Sequence, residues 1–203
     1  MWIYWLRILL IAGVIVATVF LIRKKCKKKP LRKWLIIGAC IVLVVAINFV
    51  PFEQFFLRAD TPEELFRQIT PYQSVQKVID GADSCMLISQ GDNQSYESVF
   101  YLKTKDGYRT ANVVPWVTVA KSSLSEGGFD IIRVTGTNDY YLSGTPSSKE
   151  ELTVTDNLGS QFQVFQSESD GRHYYYVAAY LKGFSENYEL YLNENKVALE
   201  FSS

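Results

Sequence analysis

At 203 residues the chain has room for one ordinary domain and some further segments. Its 21 Lys and Arg balance 21 Asp and Glu, and its mean hydropathy is 0.00, but both averages combine unlike parts. No acid precedes Glu53 while nine bases do, so residues 53–203 hold 21 acids against 12 bases, a balance that excludes nucleic acid as a natural partner of that part.

Trp2 to Ile22 is apolar except for Arg7, and as a helix it would rise about 31 Å, enough to predict a transmembrane span over 2–22. Trp34 to Phe52 has no formal charge and would rise about 28 Å, predicting a second span over 34–52. Between them, residues 23–33 (RKKCKKKPLRK) carry eight bases in eleven positions, which the positive-inside rule places in the cytosol. The expectation is a multi-pass cell-membrane protein with a two-helix hairpin over 1–52, the lipid bilayer as partner and the C-terminal domain outside. The bases of Arg23–Lys33 could also contact anionic lipid, although orientation alone accounts for them. Dense charge follows the first run rather than preceding it, and residues 48–52 lack an A-x-A site, so neither run reads as a cleaved signal. Gly13 with Ala17, and Ala39 with Ala46, offer small-residue seams for the helix pair. Antiparallel pairing would bring Arg7 to the depth of Asn48 and near Glu53, with snorkelling to headgroups as the alternative.

From residue 53 the pattern changes. Thr61-Pro62-Glu63-Glu64 supplies an N-cap, a first-position proline and acids in the first turn, predicting a short helix to about Gln68. Val75, Val78 and Ile79 predict a second short helix over Tyr72–Asp80, stopped at Gly81. Beyond Gly81 the period becomes two. Strands are predicted at 85–88, 95–104, 108–114, 129–135, 140–143, 152–155, 161–166 and 173–181, with Asp106-Gly107 as a hairpin turn. A last hairpin sets Tyr188, Leu190 and Leu192 against Val197, Leu199 and Phe201 around Asn193-Glu194-Asn195. The expected fold class is a membrane-anchored chain whose domain 53–203 is β-rich α+β, antiparallel and sandwich-like, with one or two short helices at its start. An internal boundary is possible near 121–128 (KSSLSEGG).

The segments TPEELF (61–66), VIDGADSCMLI (78–88) and KDGY (105–108) resemble small membrane-anchored extracytoplasmic proteins of Gram-positive bacteria. The resemblance implies a bacterial cell-surface address and gives no residue a role.

No residue qualifies as catalytic, cofactor-binding or metal-ligating. Cys26, Cys40 and Cys85 would lie in different compartments, forbidding an internal disulfide, and Cys85 sits in an apolar strand. His173 is the single histidine, which excludes multi-histidine metal sites and suits a surface strand position. Ser74-Val75-Gln76-Lys77 matches S-x-x-K without its companion motifs. Asp92-Asn93, Asn138-Asp139, Asp156-Asn157 and Ser169-Asp170-Gly171 suit turns better than calcium, lacking EF-hand spacing. Asn93-Gln94-Ser95 is a sequon, meaningful only in a eukaryotic secretory host. Tyr140-Tyr141 and Tyr174-Tyr175-Tyr176 put rings on both strand faces, so one ring of each set should be partly exposed. Two function classes follow. One is a tethered, non-enzymatic interaction module for an envelope protein or cell-wall glycan. The other is a carboxylate-dependent cell-envelope hydrolase, or an accessory subunit of a membrane enzyme.

Overall fold

The structure, a computed structural model, describes residues 2–25, 30–49, 57–91, 95–111, 115–123, 125, 128–148, 151–169 and 172–202. The chain divides into two compact units, Met1–Leu57 and Arg58–Ser203.

The first unit pairs α1 (Trp2–Lys25) with α2 (Pro30–Phe49). Its half-buried side chains are Ile11, Val14, Thr18 and Ile22 on α1 and Ile36, Ile37, Cys40, Val44 and Ile47 on α2, the three-and-four spacing of one helix stripe. The expected seam of small residues is therefore corrected. Gly13, Ala17 and Ala39 are exposed, and a Cβ added at Gly13 would meet nothing within 4 Å. Branched aliphatics bring more contact atoms to a two-helix seam than glycine or alanine can. The Thr18 hydroxyl donates to the Val14 carbonyl at 2.8 Å, so this polar group is satisfied within its own helix. The side chains of Arg7, Ala46 and Asn48, residues 26–29 of the basic loop, and Glu53 lie outside the described residues.

Among the described residues, no helix is long and apolar enough to cross a membrane. The expected transmembrane hairpin of 2–22 and 34–52, and with it the multi-pass cell-membrane placement and outside C-terminal domain, are corrected by this finding. It concerns helices only.

The second unit opens with β1 (Arg58–Ala59) and α3 (Pro62–Ile69). The Thr61 hydroxyl caps α3 by accepting from the Glu64 amide at 3.2 Å, and the helix buries Pro62, Leu65 and Phe66. Strands follow: β2 (Ser74–Asp80), β3 (Ser84–Gln90), β4 (Tyr96–Thr104), β5 (Gly107–Thr110), β6 (Trp116–Lys121), β7 (Phe129–Val134), β8 (Tyr140–Gly144), β9 (Ser147–Ser148), β10 (Val154–Asp156), β11 (Gln163–Ser169), β12 (Arg172–Tyr180), β13 (Leu190–Leu192), β14 (Asn195–Val197) and β15 (Glu200–Phe201). They form a five-stranded sheet β1-β5-β4-β3-β2, a larger sheet β11-β12-β8-β7-β6-β15 with β9 beside β12, and a small sheet β10-β13-β14. The segment 121–128 links β6 to β7, which pair antiparallel within one sheet.

The helix expected over 72–80 is instead the strand β2. A register shift between Val75 and Lys77 inserts one extra residue, so Val75 and Val78, opposite Ser89 and Leu87, share a face although three apart. The bulge counterfeits helical spacing. Gly107, with φ +103°, closes the β4–β5 hairpin after the turn residues Lys105 and Asp106, and a Cβ there would lie 2.3 Å from the Ala59 carbonyl oxygen. Asn193 and Glu194, at φ 46° and 67°, make the β13–β14 turn.

Alternation along the strands explains the layering. On β12, Tyr175, Val177 and Ala179 join Phe129, Ile131, Leu142, Leu190 and Val197 in a core against the small sheet. The intervening Tyr176 and Ala178 join Met86, Ile88, Phe100, Ile132 and Tyr141 in a core against the five-stranded sheet. The larger sheet is thus buried on both faces, with α3 covering the far side of the five-stranded one. In β3 both faces are buried, which is why Cys85–Ile88 reads as a continuous apolar run. Opposite Cys85, the buried Tyr101 hydroxyl has no hydrogen-bond partner among the described residues. Since an unsatisfied buried hydroxyl is costly, Tyr101→Phe is expected to raise stability by about 1 kcal/mol in a urea titration.

Candidate functional site

The sheet order leaves two seven-residue strands on edges: β2 on the five-stranded sheet and β11 on the larger one. A cleft of about 410 Å3 opens beside β2, lined by Lys77, Val78, Ile79 and Asp80 of that strand, by residues 158–161 and Gln163 at the start of β11, and by Tyr180 and Lys182.

Backbone pairing shows which groups face it. The Gly81 amide bonds the Ser84 carbonyl at 2.9 Å, so alternation makes Ile79 and Lys77 the next residues bonded to β3. Val78 and Asp80 consequently turn their N–H and C=O away from β3. On β12, the Tyr175 and Leu181 amides bond Pro146 and Tyr140, so odd-numbered residues serve that side and even-numbered ones serve β11. Val164 and Gln166 of β11 also face away from β12, but neither lines the cleft. The side chains of Lys77 and Ile79, opposite Ile88 and Met86, share the face that looks toward the larger sheet. A bulge and an inward-pointing lysine are devices by which sheets discourage indiscriminate edge pairing.

The wall at 156–161 is held firmly. Asp156 Oδ1 accepts from the amides of Leu158 (3.1 Å) and Ser160 (2.8 Å), while Asn157 donates to the Asn187 carbonyl and accepts from the Glu189 amide. This acid-amide pair is occupied as turn chemistry.

Beneath the cleft, the Asp139 carboxylate is only 1% exposed. Its Oδ1 accepts from the Ala82 amide and the Tyr180 hydroxyl, both at 3.0 Å, and its Oδ2 from the Asp83 amide at 2.8 Å and the Ser84 hydroxyl at 2.7 Å. Burial pushes this carboxyl up, but the Ser84, Asp83, Ala82 and Tyr180 donors outweigh it and hold the group below its ordinary value. Asp139 thus ties the β2–β3 turn of one sheet to β8 and β12 of the other. Beside it, Lys103 Nζ lies 2.8 Å from Asp80 Oδ1 and donates to the Gly81 carbonyl at 2.9 Å, neutralising the cleft's one acid. Lys77 and Lys182 have no ion-pair partner among the described residues.

The other sequence candidates lie elsewhere. The Ser74 hydroxyl accepts from Gln76 at 2.9 Å and does not engage Lys77. His173 Nδ1 is 2.8 Å from Gln166 Nε2, on the β11–β12 pair. Tyr174 is 41% exposed while Tyr175 and Tyr176 are buried, and Tyr140 packs on Phe184 at 4.9 Å between ring centres. Burial, then the charge of Asp80, pushes the Cys85 thiol up to about 12, which removes it as a nucleophile at neutral pH. Among the described residues, no group of three or more His, Cys, Asp or Glu could hold a metal ion. A second cleft of about 410 Å3 is lined by two carboxylates, Glu186 and Glu189. Hydrogen bonds from the Lys196 ammonium and, at 2.6 Å, the Tyr191 hydroxyl hold Glu189 below its ordinary value, an ionised acceptor rather than a proton donor. Asp92, Asn93, Asp170 and Gly171 lie outside the described residues.

No protein family, curated protein or solved structure matches this chain. Function is left to the geometry. Lys77, Gln161, Gln163, Tyr180 and Lys182 are not apparent as a group in the sequence, because only the packing of two sheets brings β2 near the end of β12 and the start of β11; the one local signal is a lysine alternating with Ile79.

Proposed function

We propose that this chain is a non-enzymatic interaction module that takes up an extended segment of a partner protein at the sheet edge β2, in the cleft it shares with the start of β11. The observation that carries the reading is the cleft itself, bordered by the edge strand β2, whose outward N–H and C=O groups at Val78 and Asp80 can extend the five-stranded sheet. Its floor is rigid, since Asp139 binds both sheets from below, and a preorganised edge loses less entropy on taking up a strand. Its only acid among the described residues is already paired with Lys103. A carboxylate-dependent hydrolase needs two acids in opposite protonation states, and at the Glu186–Glu189 cleft Glu189 is committed to Lys196.

The test is a photoreactive benzoylphenylalanine placed in the full chain at Gln161, or at Lys105 in the exposed β4–β5 turn, and irradiated in the producing cells. Discrete protein adducts from position 161, missing from position 105, are expected. Silence at 161, or identical adducts from both positions, would overturn the reading.

A further inference from the structure

We infer that the segment taken up is acidic, adding as a strand to β2 with carboxylates against Lys77 and Lys182; this rests on the reading just given and names the chemistry of the partner. Residues 53–203 carry nine more acids than bases, yet this cleft holds two ammoniums without described ion-pair partners, and its single carboxylate is bound by Lys103. Local charge thus runs against the domain average, and an acidic ligand is drawn here rather than to the surrounding surface.

The guards of the edge point the same way. Lys77 stands exposed beside the bulge, on the face toward the larger sheet, so a neutral or basic strand added there would cover that ammonium unpaired, whereas a strand whose facing residue is a carboxylate would pair with it. Alternation sets the pattern. A strand paired with Val78 and Asp80 presents one residue to Ile79 and Tyr180 and the residue two positions away to Lys77. The recognised face therefore reads apolar then acidic, with a further acid reaching Lys182 on the opposite wall.

The experiment titrates full-length protein with a fluorescent six-residue peptide carrying valine at position 2 and glutamate at positions 4 and 6 between threonines, so that all three share one strand face, with the same peptide bearing lysine in place of glutamate, with a backbone N-methylated glutamate peptide, and with inorganic polyphosphate, while amide exchange is followed by NMR. The glutamate peptide is expected to bind and to slow exchange at Val78 and Asp80. Its affinity should fall about tenfold or more in Lys77→Glu/Lys182→Glu, and the same variant should gain affinity for the lysine peptide. Equal binding of both charged peptides, with the same amides protected, would overturn the acidic preference and leave strand capture standing. Equally tight binding of polyphosphate or the N-methylated peptide, with Val78 and Asp80 exchange unchanged, would show an anion site for another class of polymer and overturn strand addition. If no peptide bound while Gln161 still crosslinked to a protein, the acidic strand would be discarded alone; silence in both experiments would remove the interaction reading as well.

Discussion

Asp139→Asn is expected to destabilise the 58–203 unit by about 3 kcal/mol, raising the exchange rate of the most protected β3 amides roughly a hundredfold. The carboxylate receives four donors, two on each oxygen, and each oxygen takes one backbone amide: Ala82 on Oδ1 and Asp83 on Oδ2. An asparagine has a single acceptor oxygen. Whichever way its amide turns, the NH2 group meets one of those backbone N–H groups, leaving two buried donors face to face. The Ser84 and Tyr180 hydroxyls can rotate to accept, but the backbone amides cannot. A graded series separates the contributions. Tyr180→Phe removes one donor, leaves three, and is expected to cost about 1 kcal/mol.

The same group sets the acid response. Its folded-state pKa is depressed, so protonation favours the unfolded chain; the stabilisation is complete above the unfolded value near pH 4 and is lost as pH falls through the lower folded value. Asp139→Asn is therefore expected to show a shallower loss of stability on acidification below about pH 4 than the parent protein. Equal slopes for the two proteins would mean that another carboxylate controls the acid limb.

Local signals gave the parts of the fold that are local. Thr61-Pro62-Glu63-Glu64 announces α3 because the cap, the proline and the first-turn acids act within one turn. The last hairpin is legible because Leu190 and Val197 alternate about a turn whose residues tolerate positive φ. What fails is what sheet neighbours decide. Val75 and Val78 read as one helix face because a bulge sets them three apart on one strand face, a count visible only once β3 is known as partner. Trp116–Lys121 goes unassigned because β6, between β7 and the short β15, presents no alternation bounded by turns. Asn138-Asp139 reads as turn chemistry, yet the partners of Asp139 lie 55 or more residues earlier and 41 later, a separation no window can register. The cleft lysines are distant in the same way. Lys77 and Lys182 line one cleft only because two sheets end side by side. For α1 and α2, the spacing of Gly13 with Ala17 and of Ala39 with Ala46 suggested small residues at the seam, whereas the half-buried residues the structure places there are mostly branched aliphatics.

Gly144→Val is expected to cost about 3 kcal/mol or more. Gly144 lies directly opposite Phe129 on the neighbouring strand, and a Cβ at 144 would fall 2.3 Å from Phe129 Cδ1 and 2.8 Å from Cε1. The ring cannot step aside. Phe129 is fully buried among Ile131, Leu142, Val177 and Leu190, and its movement would displace a core packed from both sides. Backbone conformation is not the reason for glycine here, since Gly144 is not among the residues at positive φ. Gly136 is the useful contrast, with φ +83° but open space around a Cβ, so Gly136→Ala is expected to lose only about 1 kcal/mol, from backbone strain. The double variant Gly144→Ala/Phe129→Leu decides the matter, because a smaller side chain at 129 vacates the volume the new methyl needs. Its urea midpoint should lie above the sum of the single effects, a positive coupling between contacting residues. Strict additivity would show that Gly144 is required for some reason other than the ring lying across it.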